Sequence, residues 1–273
     1  RVGRLGLSEV TTVALDHLRE TQYKAIVCYP KYSDEEFQRR IGELSGLGVV
    51  ALEFQGSKNI FGAKVLGKGC VGIVVSALRG SERVALKILR TDAGRTGLEH
   101  EASMLKLANS ANVGPALLGF SQTFLVTEYV EGSLLPQWIQ GLRGRGRKKR
   151  LEDVLTRLLE AGHRLDQVGL DHGELSRAPK HIIVTGQDEP KIVDFETAST
   201  KRRPANVTSI AQYLFIGSDL SKKIKRIKGP VGRRQLIVAL KRYKDNRSSE
   251  NFKRVLRVVF REAGREKRIS SPS

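Results

Sequence analysis

Gly67, Gly69 and Gly72, in the run Leu66-Gly-Lys-Gly-Cys-Val-Gly-Ile-Val74, can bring a backbone close to phosphate oxygens, because side chains at those points would block the approach. A dinucleotide-binding loop carries such glycines from a strand into a helix. Here the strand-like residues Ile73, Val74 and Val75 follow instead, so a glycine-rich hairpin folded over a nucleotide fits better. Downstream, Lys87 ends the apolar run Val84-Ala85-Leu86, where a lysine can meet a phosphate or simply extend its stem toward water. A second polar group contains Asp171-His172-Gly173-Glu174, then Lys180-His181, then Asp194 after the apolar pair Ile192-Val193. Carboxylates offer the hard oxygens that magnesium requires, and they can also accept a hydroxyl proton.

In their order along the chain these stretches resemble the motifs of protein kinases, particularly the compact atypical group containing the RIO kinases and the kinase of the KEOPS complex. The resemblance covers roughly residues 60–215 and implies ATP and Mg2+ as cofactors. It places Gly67, Gly69, Gly72, Val74, Ala85 and Ile183 around the nucleotide and Lys87 on its phosphates. A glutamate on the next helix would orient that lysine; Glu101 is the choice, and the spacing leaves Glu99 open as a competitor. Phe124 to Gly132 resembles the kinase hinge, with Thr127 as gatekeeper and Glu128 and Val130 giving main-chain hydrogen bonds to adenine. Glu174 maps onto the catalytic base and Asp194 onto the magnesium-holding aspartate.

This chain departs from the family pattern at several points. Glu174 replaces the usual aspartate, and its extra methylene moves the carboxylate by about 1 Å. His181 stands where the family has a metal-binding asparagine, although neutral imidazole is a poor magnesium ligand, and Lys180 is placed to neutralise phosphate charge instead of a second metal. Glu196 replaces the glycine after Asp-Phe, and only ten residues separate Glu196 from the helical pattern at Val207, with no Ala-Pro-Glu. A peptide-docking platform does not fit in that interval. Gly173 replaces the arginine that would receive an activation-loop phosphate, so activation by that route is not expected. The resemblance therefore implies an atypical serine/threonine protein kinase, with two alternatives. One is a kinase-fold ATPase or pseudokinase switch acting on an RNA or ribonucleoprotein; the other is a small-molecule phosphotransferase.

The elements that must hold these residues follow from periodicity. Leu7 to Glu20 reads as a helix capped by Ser8, and Lys24 to Tyr29 as a strand. Ser33 caps a second helix with an acidic first turn and Phe37, Ile41 and Leu44 on one face. Val49 to Phe54 is a buried strand, and Gly56-Ser57 marks the edge of a small α/β appendage. Strands follow at Lys64–Leu66, Gly72–Leu78 and Arg83–Leu89, then a helix from Gly97 to Ala108 and strands near Ala116–Phe120 and Thr123–Tyr129. Leu151 to Val168 forms a long amphipathic helix, His181–Val184 and Lys191–Val193 are short strands, and the remainder from Val207 is helical. The expected fold is α+β: an appendage (1–59), a small antiparallel sheet lobe (60–132) and a helical lobe with a basic C-terminal extension (133–273), in a two-lobed, protein-kinase-like arrangement.

The chain has 273 residues and a formal charge of +19. Residues 199–273 hold 21 basic and 5 acidic side chains, so they carry +16 of it, and the rest is nearly neutral. Arg143 to Arg150, with six positive charges and two glycines, reads as an exposed loop. These two basic regions suit an RNA or ribonucleoprotein contact by phosphate neutralisation, with an anionic membrane surface as the alternative. No apolar run reaches the roughly 18 residues of a membrane span. Two cysteines, Cys28 and Cys70, are too few for a disulfide framework, and no leader-like pattern opens the sequence, so a reducing, cytoplasmic setting is expected.

Overall fold

The computed structural model describes residues 10–94 and 97–260. The fold is mixed α+β, and the described residues divide into two compact units: those up to Asn109 with Pro115–Val130, and Ser110–Gly114 with those from Glu131 onward.

In the first unit the chain runs through β1 (Thr11–Ala14), α1 (Leu15–Leu18), α2 (Lys24–Val27), α3 (Asp34–Gly46), β2 (Val49–Phe54), β3 (Lys58–Ile60) and β4 (Ala63–Val65). It continues through β5 (Gly67–Lys68), β6 (Gly72–Arg79), β7 (Glu82–Leu89), α4 (Glu99–Ser110), β8 (Leu117–Phe120) and β9 (Phe124–Glu128). One antiparallel sheet has the order β1-β2-β6-β7-β9-β8, with β5 also paired to β6. A separate hairpin joins β3 and β4. Gly80, at φ +59, makes the tight β6–β7 turn.

The helix expected over 7–20 is not what forms among its described residues. Val10, Thr11, Thr12 and Val13 include a β-branched run that loses rotamer freedom in a helix, and Thr11 to Ala14 instead pair with Ala51 to Phe54, leaving one helical turn at Leu15–Leu18. Ser8, its expected cap, lies outside the described residues. The strand expected at Lys24–Tyr29 is also corrected: Lys24–Val27 is a helical turn. The Thr21 hydroxyl accepts the Tyr23 N–H at 3.2 Å, which starts a local turn where no neighbouring strand is offered.

Residues 10–59 do not stand apart as an appendage. β2 is hydrogen-bonded into the sheet between β1 and β6, and Leu18, Ile26, Phe37, Leu44 and Leu52 share one apolar core with Ile73, Val75, Leu86, Ile88 and Val126. The physical reason lies in the strands: β7 buries Val84, Leu86 and Ile88 on one face, and apolar strands of this kind need cover. α3 supplies it. Ser33 accepts the Glu36 N–H at its start, while the buried Arg40 donates to the carbonyls of Val27 and Leu89, each at 2.7 Å. Glu43 accepts the backbone and hydroxyl of Thr123. Each fully buried Leu or Phe in this layer contributes on the order of 1.5–3 kcal/mol.

The second unit comprises β10 (Gly132–Leu134), α5 (Leu135–Gly141), α6 (Arg147–Gln167), a 3-10 turn (Leu175–Arg177), β11 (Ile182–Thr185), β12 (Pro190–Ile192), α7 (Asn206–Phe215), α8 (Asp219–Lys228), α9 (Arg233–Asp245) and α10 (Ser249–Phe260). β10, β11 and β12 form an antiparallel sheet in that order. α6 buries Leu151, Leu155, Leu158 and Leu165 along one stripe, and its Gly162 lets α7 approach, since a Cβ there would stand 2.7 Å from Ile210. The loop expected at Arg143–Arg150 is half helical. Arg147–Arg150 form the exposed first turn of α6, where Arg150 is held by Asp188 at 2.7 and 2.8 Å. Among the described residues no helix is long and apolar enough to cross a membrane.

Candidate functional site

The glycine run forms a hairpin. Gly67 lies opposite Val74, Lys68 opposite Ile73, and the Gly69 N–H donates to the Gly72 carbonyl at 2.8 Å. Gly72 has a steric reason to be glycine: a Cβ would stand 2.9 Å from the Ile88 carbonyl and 3.2 Å from the Lys87 side chain. In register, Val74 lies opposite Lys87, Ala85 opposite Thr127, and Lys87 opposite Leu125. Strand alternation therefore puts Gly72, Val74, Ala85, Lys87 and Thr127 on one face, with Val75, Leu86 and Val126 turned to the other.

Lys87 Nζ lies 2.9 and 2.8 Å from the two carboxylate oxygens of Glu101 on α4, with the side chains 11% and 3% exposed. Glu99 is exposed, so the structure chooses Glu101; two residues along a helix turn a side chain by about 200°. At the end of β9, the Glu128 N–H donates to the Ala116 carbonyl at 2.9 Å, and its side chain accepts the Ala116 N–H at 3.1 Å. The Glu128 carbonyl accepts the Thr127 hydroxyl at 3.3 Å. Val130 closes the first unit, two residues beyond β9.

On the same face lies a group that sequence reasoning missed. Glu53 of β2 stands opposite Ser76 and is buried. It accepts the Ser76 hydroxyl at 2.6 Å and the Arg83 guanidinium at 2.7 and 2.9 Å. The Arg83 hydrogen bonds hold the Glu53 carboxyl below the usual range against the opposing effect of burial. The sequence signal was a single glutamate inside the apolar strand Val-Val-Ala-Leu-Glu-Phe.

In the second unit the segment from Asp171 to Asp194 is tightly anchored. Asp171 accepts the Arg202 guanidinium at 2.8 Å and the Ala205 N–H at 3.2 Å. Its backbone exchanges two hydrogen bonds with Ser199. Asn206 accepts the His172 N–H at 3.0 Å while its own amide donates to Asp166 and to the Leu170 carbonyl. The His172 ring is buried against Phe195, with Nε2 3.2 Å from the Val193 carbonyl. Burial pushes the imidazole down to about 4, so it is neutral near pH 7. Gly173 sits at φ +91, and a Cβ there would meet the Arg202 guanidinium at 2.7 Å and the Thr197 hydroxyl at 3.0 Å.

Glu174, half-exposed at 39%, precedes the 3-10 turn, and its Oε2 is 3.6 Å from His181 Nδ1, too long for a hydrogen bond. Asp194 follows β12 with φ +70, a conformation unusual for a non-glycine residue. One ligand atom from each of Glu174, His181 and Asp194 falls within 4.8 Å of the others. His181 Nδ1 is a buried atom without a hydrogen-bond partner. A group of two carboxylates and one imidazole suits a divalent cation. Lys180 is exposed and is not a member of this trio. Ile183, between the buried Ile182 and Val184, faces the opposite side of its strand and lies opposite Leu134 and Lys191.

No family model and no curated protein matches the chain.

Proposed function

We propose that the chain is an ATP-dependent phosphotransferase of protein-kinase-like, two-lobed architecture, moving the γ-phosphate of ATP to a serine or threonine hydroxyl of a protein. The observation that carries this reading is the Lys87–Glu101 pair beside the glycine hairpin, with both carboxylate oxygens on the ammonium. A lysine fixed in this way presents its charge to phosphate oxygens without having to be reoriented. Gly67, Gly69 and Gly72 give the hairpin backbone its approach to the phosphates, while Val74, Ala85 and Ile183 pack on the base and ribose. Thr127, the Glu128 carbonyl and the Val130 main chain set the adenine edge. Glu174 accepts the proton of the attacking hydroxyl, and Lys180 offsets phosphate charge. Asp194 and His181 are the residues that would hold a divalent cation, whose contribution when bound is to neutralise charge on the phosphate oxygens.

The test is incubation with labelled ATP and Mg2+, comparing the parent chain with Lys87→Ala and Asp194→Ala. Label appearing on protein and lost in both variants supports the reading. Free phosphate without labelled protein favours the ATPase alternative, ATP binding with neither favours a pseudokinase, and label on an added small hydroxyl compound favours a small-molecule phosphotransferase.

Polyanion docking, with RNA as the expected partner, is a second element of this proposal. α8 exposes Lys222, Lys223, Lys225 and Arg226 while burying Leu220 and Ile224. α10 exposes Lys253, Arg254 and Arg257 while burying Phe252, Val255 and Val259. Cations on faces that the core does not need can neutralise phosphates, Lys222 by exchanging its exposed pair with Asp219 and Arg254 and Arg257 theirs with Glu250, and each contact steepens the salt dependence of binding. Replacing the four α8 cations by Gln is expected to weaken RNA binding and to flatten its salt slope; unchanged binding would discard this part.

A further inference from the structure

The donor set at Glu174, His181 and Asp194 is unusual for magnesium, and its geometry says more than the sequence did. His181 Nδ1 is shielded from solvent, lacks a hydrogen-bond partner and lies 3.6 Å from a carboxylate oxygen. A protonated imidazole would close to a charge-assisted hydrogen bond of about 2.8 Å, whereas two ligands each about 2.1 Å from a shared ion stand roughly 3 to 4 Å apart. The observed separation fits the second arrangement. Asp194 is delivered to the group by a backbone at φ +70, a conformation that strained functional residues adopt. An oxygen of its carboxylate falls within 4.8 Å of both an oxygen of Glu174 and a ring nitrogen of His181. Magnesium takes oxygen ligands and keeps its waters, while a neutral imidazole with two carboxylates suits first-row transition ions.

We infer that Glu174, His181 and Asp194 form a binding site for a divalent first-row transition cation, with His181 Nδ1 as the ligand that selects such an ion over Mg2+. Glu174 contributes Oε2, the oxygen beside His181, and its second oxygen is left for proton transfer. The inference rests on the donor atoms and needs no nucleotide, so it stands or falls separately from the phosphotransfer reading.

The experiment titrates the full chain, without nucleotide, with Mn2+ alone and with Mg2+ alone, following bound Mn2+ by electron paramagnetic resonance. Spin-echo modulation reports whether an imidazole nitrogen is bonded to the ion. Mn2+ is expected to bind at least tenfold more tightly than Mg2+, with one directly bonded nitrogen. His181→Asn should lose that nitrogen signal and at least tenfold in Mn2+ affinity, with an unchanged circular dichroism spectrum and little change toward Mg2+. Glu174→Gln, on a half-exposed side chain, should weaken Mn2+ while keeping the nitrogen signal. Equal affinity for the two ions, absence of the nitrogen signal, or its persistence in His181→Asn overturns the inference. Mn2+ selectivity without transfer of label from ATP would leave it intact and sink the kinase reading alone.

Discussion

Glu53 shows how much one buried charge can set in a small sheet. Its carboxyl is held below its ordinary value, chiefly by the Arg83 guanidinium, so it stays ionised in the fold to lower pH than in the unfolded chain. Its stabilising contribution is therefore complete above about 4.5, its ordinary value, and is lost as pH falls through the lower folded value. Glu53→Gln is expected to cost on the order of 1–2 kcal/mol at pH 7, discounted because Arg83 is half-exposed, and the gap to the parent should close in urea titrations carried below that pH. Gly173 is the second residue-scale case. With φ +91 and the Arg202 and Thr197 groups crowding its missing Cβ, Gly173→Ala should lose roughly 1–3 kcal/mol in urea unfolding. Lys87 was legible in the sequence because the apolar run Val84–Leu86 met a cation beyond a glycine run. Glu101 was the choice for its partner, with Glu99 left open by the spacing, and the facing of α4 puts Glu101 on the lysine.

At the scale of elements, the start of α7 depends on a residue 40 positions away. Asp166 on α6 accepts the Asn206 N–H at 2.8 Å and the Val207 N–H at 3.2 Å, and the Tyr243 hydroxyl donates to it at 2.9 Å. A carboxylate at a helix N-terminus satisfies donors that no intrahelical carbonyl can reach. Burial raises the Asp166 carboxyl despite these hydrogen bonds, which marks how fully the group is enclosed. Asp166→Ala is expected to cost about 2–4 kcal/mol in chemical unfolding, because it leaves buried donors unmet. α3 was readable from Ser33 and its acidic first turn, and α6 from its leucine stripe. The Lys24–Val27 turn was misread because six residues carry too little periodicity to separate a short strand from a helical turn.

At the scale of the whole molecule, the charge and the candidate chemistry lie in different parts of the chain. The last 75 residues carry +16 of the +19, and on α8 and α10 the cations other than Lys228 line the faces turned away from the core. The candidate phosphate-contacting residues sit on a sheet whose other face is covered by the N-terminal segment. Deleting residues 1–56 removes β1, β2 and α3, and so uncovers Ile73, Val75, Leu86 and Val126. The shortened chain is expected to lose its cooperative unfolding transition and to aggregate, as read by calorimetry and light scattering. A stable, monomeric truncation would show instead that the segment is a detachable appendage.

The sequence by itself determined the antiparallel β6–β7 hairpin, the strand positions from Lys64 to Glu128, the capped α3 and the outward placement of the C-terminal cations. These are local properties: alternation, caps, turns and charge density act over a few residues. Tertiary structure alone decided that Thr11–Ala14 would be a strand, because β2 offered it a partner. It also decided that Glu53 would be buried with Arg83, that Asp166 would cap α7, and that Glu174, His181 and Asp194 would meet. Each of those outcomes joins groups far apart in the chain, and their free energy comes from desolvated contacts that exist only once the units have folded.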